Sequence, residues 1–174
     1  MRASLLALPL LLSACAGGTA PGADPAVPAA DAATVQRLFT QGCYRADFDE
    51  DRSRAVFRRA GLSEDRITNA AIFTSPDGAV QAQLTRFSQP GGNGQQCSVG
   101  GLGLDITTAN ALAIQLIEAD GGPKATDRDR RARDGIAVLR FDRPGQAVAI
   151  STSREPRAVG RRDFVAIELT RVLQ

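Results

Sequence analysis

The sequence predicts an α+β domain in which one antiparallel sheet carries helices on a single face. Three segments repeat apolar residues at helical spacing, and six others are short apolar or alternating runs bounded by turn residues, as strands are. Their order is two helices, three strands, one helix and three strands. That order favours a sheet of about five or six antiparallel strands over the alternating βαβ units of a parallel sheet.

The two N-terminal helices are predicted over residues 31–45 and 49–60. The first carries an apolar stripe made of Val35, Leu38, Phe39 and Cys43. The second begins at acidic residues and ends in Arg58 and Arg59 followed by Gly61, which suits the helix dipole and a C-terminal cap. Its predicted apolar face consists of Val56, Phe57 and Ala60.

The remaining elements follow from turn residues and apolar spacing. Strands are predicted over 71–74, 79–87 and 96–104, with turns at 75–78 and 91–94 between them. A helix over 107–119 is apolar nearly all round, so we expect it to be the central buried helix. Strands over 136–141, 146–152 and 164–169 close the chain. This element order is loosely similar to that of profilin-like folds, a likeness that carries no function.

Composition excludes several classes of function. The chain has 174 residues, 43% of them hydrophobic, with a net charge of +2, which is ordinary for a globular domain and small for a nucleic-acid binder. It contains no histidine, so Ser-His, Cys-His and histidine–metal chemistry are absent. We predict no catalytic residue, no metal site, no cofactor and no nucleic-acid partner.

The N-terminus is typical of an export signal. Arg2 precedes an apolar run from Leu5 to Leu12, which is far shorter than the ~20 residues of a membrane-spanning helix. The run ends in Leu12-Ser13-Ala14-Cys15. This segment resembles the lipobox of bacterial lipoprotein precursors.

The resemblance implies lipid attachment at Cys15. In that family the thiol receives a diacylglyceryl group, cleavage occurs before the cysteine and the new amine is acylated. Residues 1–14 would then be the signal peptide. Because Ala16 is not the aspartate that retains such proteins in the inner membrane, the resemblance implies an outer-membrane anchor that faces the periplasm.

Residues 15–30 are predicted to be a tether. Alanine, glycine and proline dominate the segment, so it cannot bury a core, and a chain of this length spans roughly 20 Å. Residues 31–174 form the single globular domain.

The number of cysteines predicts a disulfide. Lipidation of Cys15 leaves Cys43 and Cys97, and an oxidising envelope compartment favours their pairing. Two buried thiols or a redox pair are the alternatives. The spacing lacks the C-x-x-C motif of a redox pair.

Five features of the sequence favour structural roles over chemical ones. Acidic residues at 47, 49 and 51 resemble the start of a calcium loop, but Arg52 and Arg58 occupy the positions that need glycine and glutamate, so a helix N-terminus is favoured. Ser98 has no histidine as a base, and the glycines at 100, 101 and 103 indicate close strand packing. Residues 124–134 are predicted to be a solvated loop, with contact to an anionic surface as the alternative. Asp105 and Glu118 are expected at solvated or capping positions.

Three functional hypotheses follow. The first is a lipid-anchored envelope protein, held to the membrane by its N-terminal lipid, whose domain binds an envelope protein partner or has a structural role. The second is a hydrolase that uses two converging carboxylates and a water. The third is a sensor-like module that binds a small ligand in an apolar pocket against the sheet.

Overall fold

The computed structural model describes residues 28–89, 92–119, 138–143, 146–155 and 163–173. The predicted signal peptide, Cys15, residues 15–27 of the tether and the loop over 124–134 lie outside these residues. The α+β prediction is confirmed: helices and one antiparallel sheet form the domain.

Two helices lead into the sheet, as predicted. Helix α1 covers Ala32–Phe39 and continues into a π-helical turn over Thr40–Tyr44, and α2 covers Glu50–Arg59. The side chain of Asp49 accepts a hydrogen bond from the Arg52 N–H at 3.0 Å, which caps α2. Gly61 ends α2 with a φ of +83° and an N–H bond to the Arg58 carbonyl.

The predicted apolar face of α2 is wrong in part. Ala60 is exposed, whereas Ser53 is buried on the side of the core. The Ser53 hydroxyl donates to the Asp49 carbonyl at 2.9 Å. Because this internal bond satisfies the hydroxyl, a serine can occupy the buried stripe beside Phe57.

Seven strands make up the described sheet. They are β1 Ser63–Ile67, β2 Ala70–Thr74, β3 Val80–Gln89, β4 Gly92–Leu102, β5 Val138–Arg143, β6 Gln146–Glu155 and β7 Phe164–Leu173. Their order is β1-β2-β3-β4-β7-β6-β5, and every neighbouring pair is antiparallel. Strand β1 was not predicted, and β4 begins at Gly92, inside the predicted turn over 91–94.

The sheet consists of two meanders joined at β4 and β7. Helix α3, Ile106–Ala119, connects β4 to the far edge at β5, and the chain then returns strand by strand to β7. A Cys43–Cys97 bridge joins the helical turn to β4, and Thr152 of β6 donates to Asn110 of α3. Cys97 and Thr152 point to the same side of the sheet by strand alternation, so the helices share one face.

The core lies between the helices and this helix-covered face. Its largest fully buried side chains include Phe39, Phe57, Phe73, Ile150 and Ile167. The rings of Phe57 and Phe73 are tilted by 50° with centroids 5.1 Å apart, a favourable aromatic arrangement.

Helix α3 is not the central buried helix that we predicted. It buries a narrow stripe of Ala109, Ala113 and Ile117, while Ala111 and Gln115 are exposed. The apolar residues Leu112, Ile114 and Leu116 are only partly buried. The helix therefore packs on β6 and β7 through one narrow stripe and is not buried all round.

No helix among the described residues is both long enough and apolar enough to span a membrane.

Candidate functional site

The most distinctive polar feature is an arginine cluster between α2 and β1. In α2, Glu50, Arg54 and Arg58 follow one another at four-residue spacing and so share one side of the helix. In β1, Glu64 and Arg66 pair with core-facing residues of β2 and therefore point towards the helix-covered face. The local periods of the two elements thus bring five charged side chains together.

Two glutamates hold the arginines in place. Glu64 binds Arg54 and Arg58 of α2 and also accepts from Nε of Arg66 at 2.7 Å. Glu50 pairs with Arg54 at 3.5 Å and with Arg86, which lies on β3 after the buried part of that strand. Four arginines and two glutamates form this network, so two positive charges remain unbalanced.

Glu64 is the centre of the network. Only 9% of its side chain is exposed, and this burial alone would raise the pKa of its carboxyl. Hydrogen bonds from Arg66 and Arg58 and the charge of Arg54 outweigh burial and hold the pKa below its usual value near 4.5. Glu64 is therefore ionised at neutral pH and acts as the anchor of three arginines.

Two cavities adjoin the cluster. The first has a volume of about 430 Å³ and is lined by charged residues, namely Glu50, Arg54, Arg66 and Arg86, and by the β1–β2 turn. The second has a volume of about 660 Å³ and lies at the ends of β3, β4 and β7, where Gln95 and Arg171 contribute to its wall. Asn69 and Arg86 line both. We call the two together the basic groove.

The basic groove attracts anions. Four arginines and one glutamate line it, and the side chains of Arg66 and Arg86 are 65% and 70% exposed. A concave surface that carries one sign of charge concentrates its field and draws in ligands of opposite charge. Guanidinium groups match carboxylate and phosphate geometry in particular.

Asp49 has the structural role at the start of α2 that we predicted. Asp49 caps the helix, and Glu50 binds arginines. Within the described ranges no group of three or more histidine, cysteine, aspartate or glutamate side chains could hold a metal ion.

Ser98 lies on the helix-free face of the sheet. It is paired in register with Glu168 of β7, whose carboxylate accepts from Gln96 at 3.0 Å and from Ser151 at 3.3 Å. These contacts bind Glu168 into a row of polar side chains across the sheet. Neither described cavity of the basic groove reaches Ser98.

The predicted close packing is confirmed at Gly100 and Gly101, whereas Gly103 is exposed. A Cβ on Gly100 would lie 2.4 Å from the Val165 carbonyl oxygen, and one on Gly101 would lie 2.1 Å from Cβ of Ala30. These glycines let strand β7 and the segment before α1 approach β4, so they have no need of a ligand.

The two carboxylates considered for acid–base work are not brought together. Asp105 caps α3 by accepting from the Thr108 N–H at 3.0 Å, which confirms its capping role. Glu118 is exposed near the other end of the same helix, roughly 20 Å away at 1.5 Å per residue.

Comparison of the chain with protein-family models, with curated proteins and with solved structures gave no match. The function must therefore be argued from the chain's own residues.

Sequence reasoning missed the basic groove. It assigned Arg58 and Arg59 to the dipole of α2 and drew nothing from Arg66, Arg86 or Arg171. The four-residue spacing of Glu50, Arg54 and Arg58 was visible in the sequence and predicts one charged side of α2. Their partners on β1 and β3, and the position of Arg171 on β7, depend on strand pairing, which no local pattern specifies.

We expect Glu64→Gln to lower the free energy of unfolding at pH 7 by about 1 kcal/mol, since two of its three arginine partners, Arg58 and Arg66, are more than half exposed. A carboxyl whose folded pKa is depressed stabilises the fold above its unfolded pKa and loses that contribution as pH falls through the folded value. The difference between wild type and variant should therefore shrink below about pH 4. Denaturant unfolding at pH 7 and pH 3 measures it. Asp65→Asn, an exposed neighbour, is the control, and an equal loss at both pH values would contradict the role of Glu64.

Proposed function

We propose that this protein is a lipid-anchored protein of the cell envelope whose domain binds a carboxylate-rich partner in the basic groove. The N-terminal resemblance to lipoproteins supports the anchor at Cys15, in the outer membrane and facing the periplasm. The predicted tether of residues 15–30 gives the domain enough reach to meet a partner near the bilayer.

The surplus of arginine in the basic groove carries the binding part of the proposal. Glu50 and Glu64 fix the guanidinium groups but leave positive charge exposed. A partner with carboxylates would balance that charge, and charge complementarity speeds association and excludes partners of the same sign. The sensor-like and hydrolase alternatives gain no such support from the described residues.

The proposal predicts that charge reversal in the basic groove weakens anion binding. The probe is fluorescein-labelled poly-glutamate, and its anisotropy is followed with the full-length protein in detergent. Arg66→Glu combined with Arg86→Glu should weaken binding at least about tenfold, because exposed charges that attract the probe become repulsive. The affinity of wild type should also fall as salt rises.

The control changes net charge by the same amount outside the groove. Arg37 on α1 and Arg59 at the end of α2 are exposed and line neither cavity. Arg37→Glu combined with Arg59→Glu should bind nearly as wild type does. If both double variants lose affinity equally, the probe senses only overall charge and the basic groove is not the binding site.

A further inference from the structure

Arg171 is held in an unusual state at the end of β7. Its guanidinium carbon lies 4.4 Å from the centroid of the Phe48 ring, and one of its terminal nitrogens donates to Oε1 of Gln95. Its Nε is buried and finds no acceptor among the described residues. An unpaired buried donor is costly, so the site lacks one hydrogen-bond acceptor.

The loop before α2 places the ring beneath Arg171. Asp47 and Phe48 both have positive φ, at +51° and +64°, a conformation that side chains other than glycine rarely adopt. Phe48 is nevertheless 8% exposed and part of the core cluster. Strained backbone that persists in a well-packed loop often serves a site, and here it gives the guanidinium a fixed aromatic support.

Gln95 occupies the place that a carboxylate would take. Gln95 is neutral and so does not balance the positive charge of Arg171. Its Oε1 accepts a hydrogen bond from one terminal nitrogen of the guanidinium. A carboxylate that displaced the Gln95 amide could accept from Nε and the terminal nitrogen together, in the bidentate geometry that arginine favours. The missing acceptor at Nε would then be supplied by the ligand.

Arg171 lies in register with the rest of the basic groove. The row Arg86, Gln95 and Arg171 crosses β3, β4 and β7, so the two arginine Cα atoms are roughly 10 Å apart at the usual strand spacing. That distance corresponds to about three residues of an extended chain. Acidic side chains on one extended segment could therefore reach both.

An apolar side chain marks one end of the groove. Leu173 is 46% exposed and lines the second cavity. It follows Arg171 by two residues on β7, so both point to the same face of the sheet, roughly 7 Å apart along the strand. The other exposed apolar side chain of the described residues, Ile67, is 56% exposed but alternates with Arg66 and points to the helix-free face.

We infer that the basic groove binds an extended acidic segment of a protein, with an apolar residue near one end on Leu173 and one carboxylate bound in bidentate fashion by Arg171. The inference rests on the proposed function and names its partner. A combination of exposed guanidinium groups and a flanking apolar side chain suits a peptide better than a polyphosphate, which offers no apolar contact. Arg171 determines specificity for a planar carboxylate.

The test uses two labelled six-residue peptides with blocked termini and the full-length protein in detergent. The first has leucine at both ends and four glutamates between them, and the second has serine in place of leucine. Wild type should bind the leucine peptide more tightly. Arg171→Gln and Arg171→Lys should each weaken binding of both by about tenfold, because a lysine cannot bind a carboxylate through two parallel hydrogen bonds.

Two further variants separate the contributions. Leu173→Ser should lower the affinity for the leucine peptide to that for the serine peptide and leave the latter unchanged. Gln95→Ala should bind at least as tightly as wild type, because the competing amide is gone. Unfolding midpoints identify any variant that fails to fold, and Leu173→Ser with Gln95→Ala then still test the inference.

The outcomes distinguish this inference from the proposed function. Loss of binding with Arg66→Glu and Arg86→Glu but not with Arg171→Gln would keep the carboxylate-binding function and overturn the role of Arg171. Equal binding of both peptides would overturn the apolar contact at Leu173. Polyphosphate, or vesicles of anionic phospholipid, that bound more tightly with the same dependence on Arg171 would overturn the peptide assignment. Binding unaffected by any arginine variant would overturn both.

Discussion

Replacing Cys43 and Cys97 together with alanine is expected to lower the free energy of unfolding by about 4 kcal/mol. The bridge joins residues separated by 54 positions, and on the chain-entropy model a loop of that length restricts the unfolded chain strongly. Both cysteines are buried, at 0% and 3% exposure, so the variant also loses the packing of two sulfur atoms, which adds to the loss of the cross-link. Denaturant unfolding of wild type and variant measures the change.

Reduction of the wild type provides the control. Wild type unfolded in excess dithiothreitol should lose most of the same stability, because it loses the cross-link but keeps the packing of the two sulfur atoms. Hydrogen exchange should increase most in α1 and the helical turn over Thr40–Tyr44, which the bridge fastens to β4. A variant as stable as oxidised wild type would show that the bridge adds nothing to stability.

Elements defined by local chemistry could be predicted from the sequence. Asp49 and Gly61 mark the two ends of α2 as expected, because a side-chain cap and a residue with positive φ act within one helical turn. In β7, Val165, Ile167 and Leu169 alternate towards the core as the pattern indicated. Each of these features depends on neighbours only a few residues away.

Features that depend on distant segments could not be predicted. Strand β1 reads Ser-Glu-Asp-Arg-Ile, with none of the apolar alternation that marks a strand. It forms because β2 offers a free edge and because arginines of α2 bind Glu64. The charged residues that make β1 unlike a strand in the sequence are also the residues whose ion pairs stabilise it in the fold.

The burial of α3 is a second feature that could not be predicted from the sequence. Its apolar composition predicted a central helix, yet composition does not specify which side faces the sheet. Ala109, Ala113 and Ile117 form the buried stripe, whereas Leu112 and Leu116 are only partly buried. The buried side therefore carries two alanines, and the larger leucines do not mark it.

The basic groove is the third such feature. Its charged residues come from α2, β1, β3 and β7, and Glu50 and Arg171 lie at opposite ends of the domain sequence. No local motif joins them. Phe48 reaches Arg171 because its backbone has a positive φ. Phenylalanine rarely adopts that conformation, so the sequence does not indicate it.

The prediction with the largest effect on location concerns Cys15. If the lipobox resemblance is correct, Cys15→Ala should release the protein from the membrane fraction. Each buried methylene contributes about 0.8 kcal/mol to membrane binding, so three acyl chains anchor a protein essentially permanently and their loss removes the anchor. Fractionation of cells after a high-salt wash, with mass spectrometry of the N-terminus, measures both attachment and release.

The salt wash separates a lipid anchor from adsorption by charge. Arginines of the basic groove could hold an unlipidated chain on anionic lipids at low ionic strength, but screening at high salt removes that attraction, with a Debye length of about 3 Å at 1 M. Ser13→Ala keeps a small residue before Cys15, so this control should stay with the membrane and carry acyl chains. Cys15→Ala protein that remained in the membrane pellet after the wash would show that something other than a lipid on Cys15 holds the domain there.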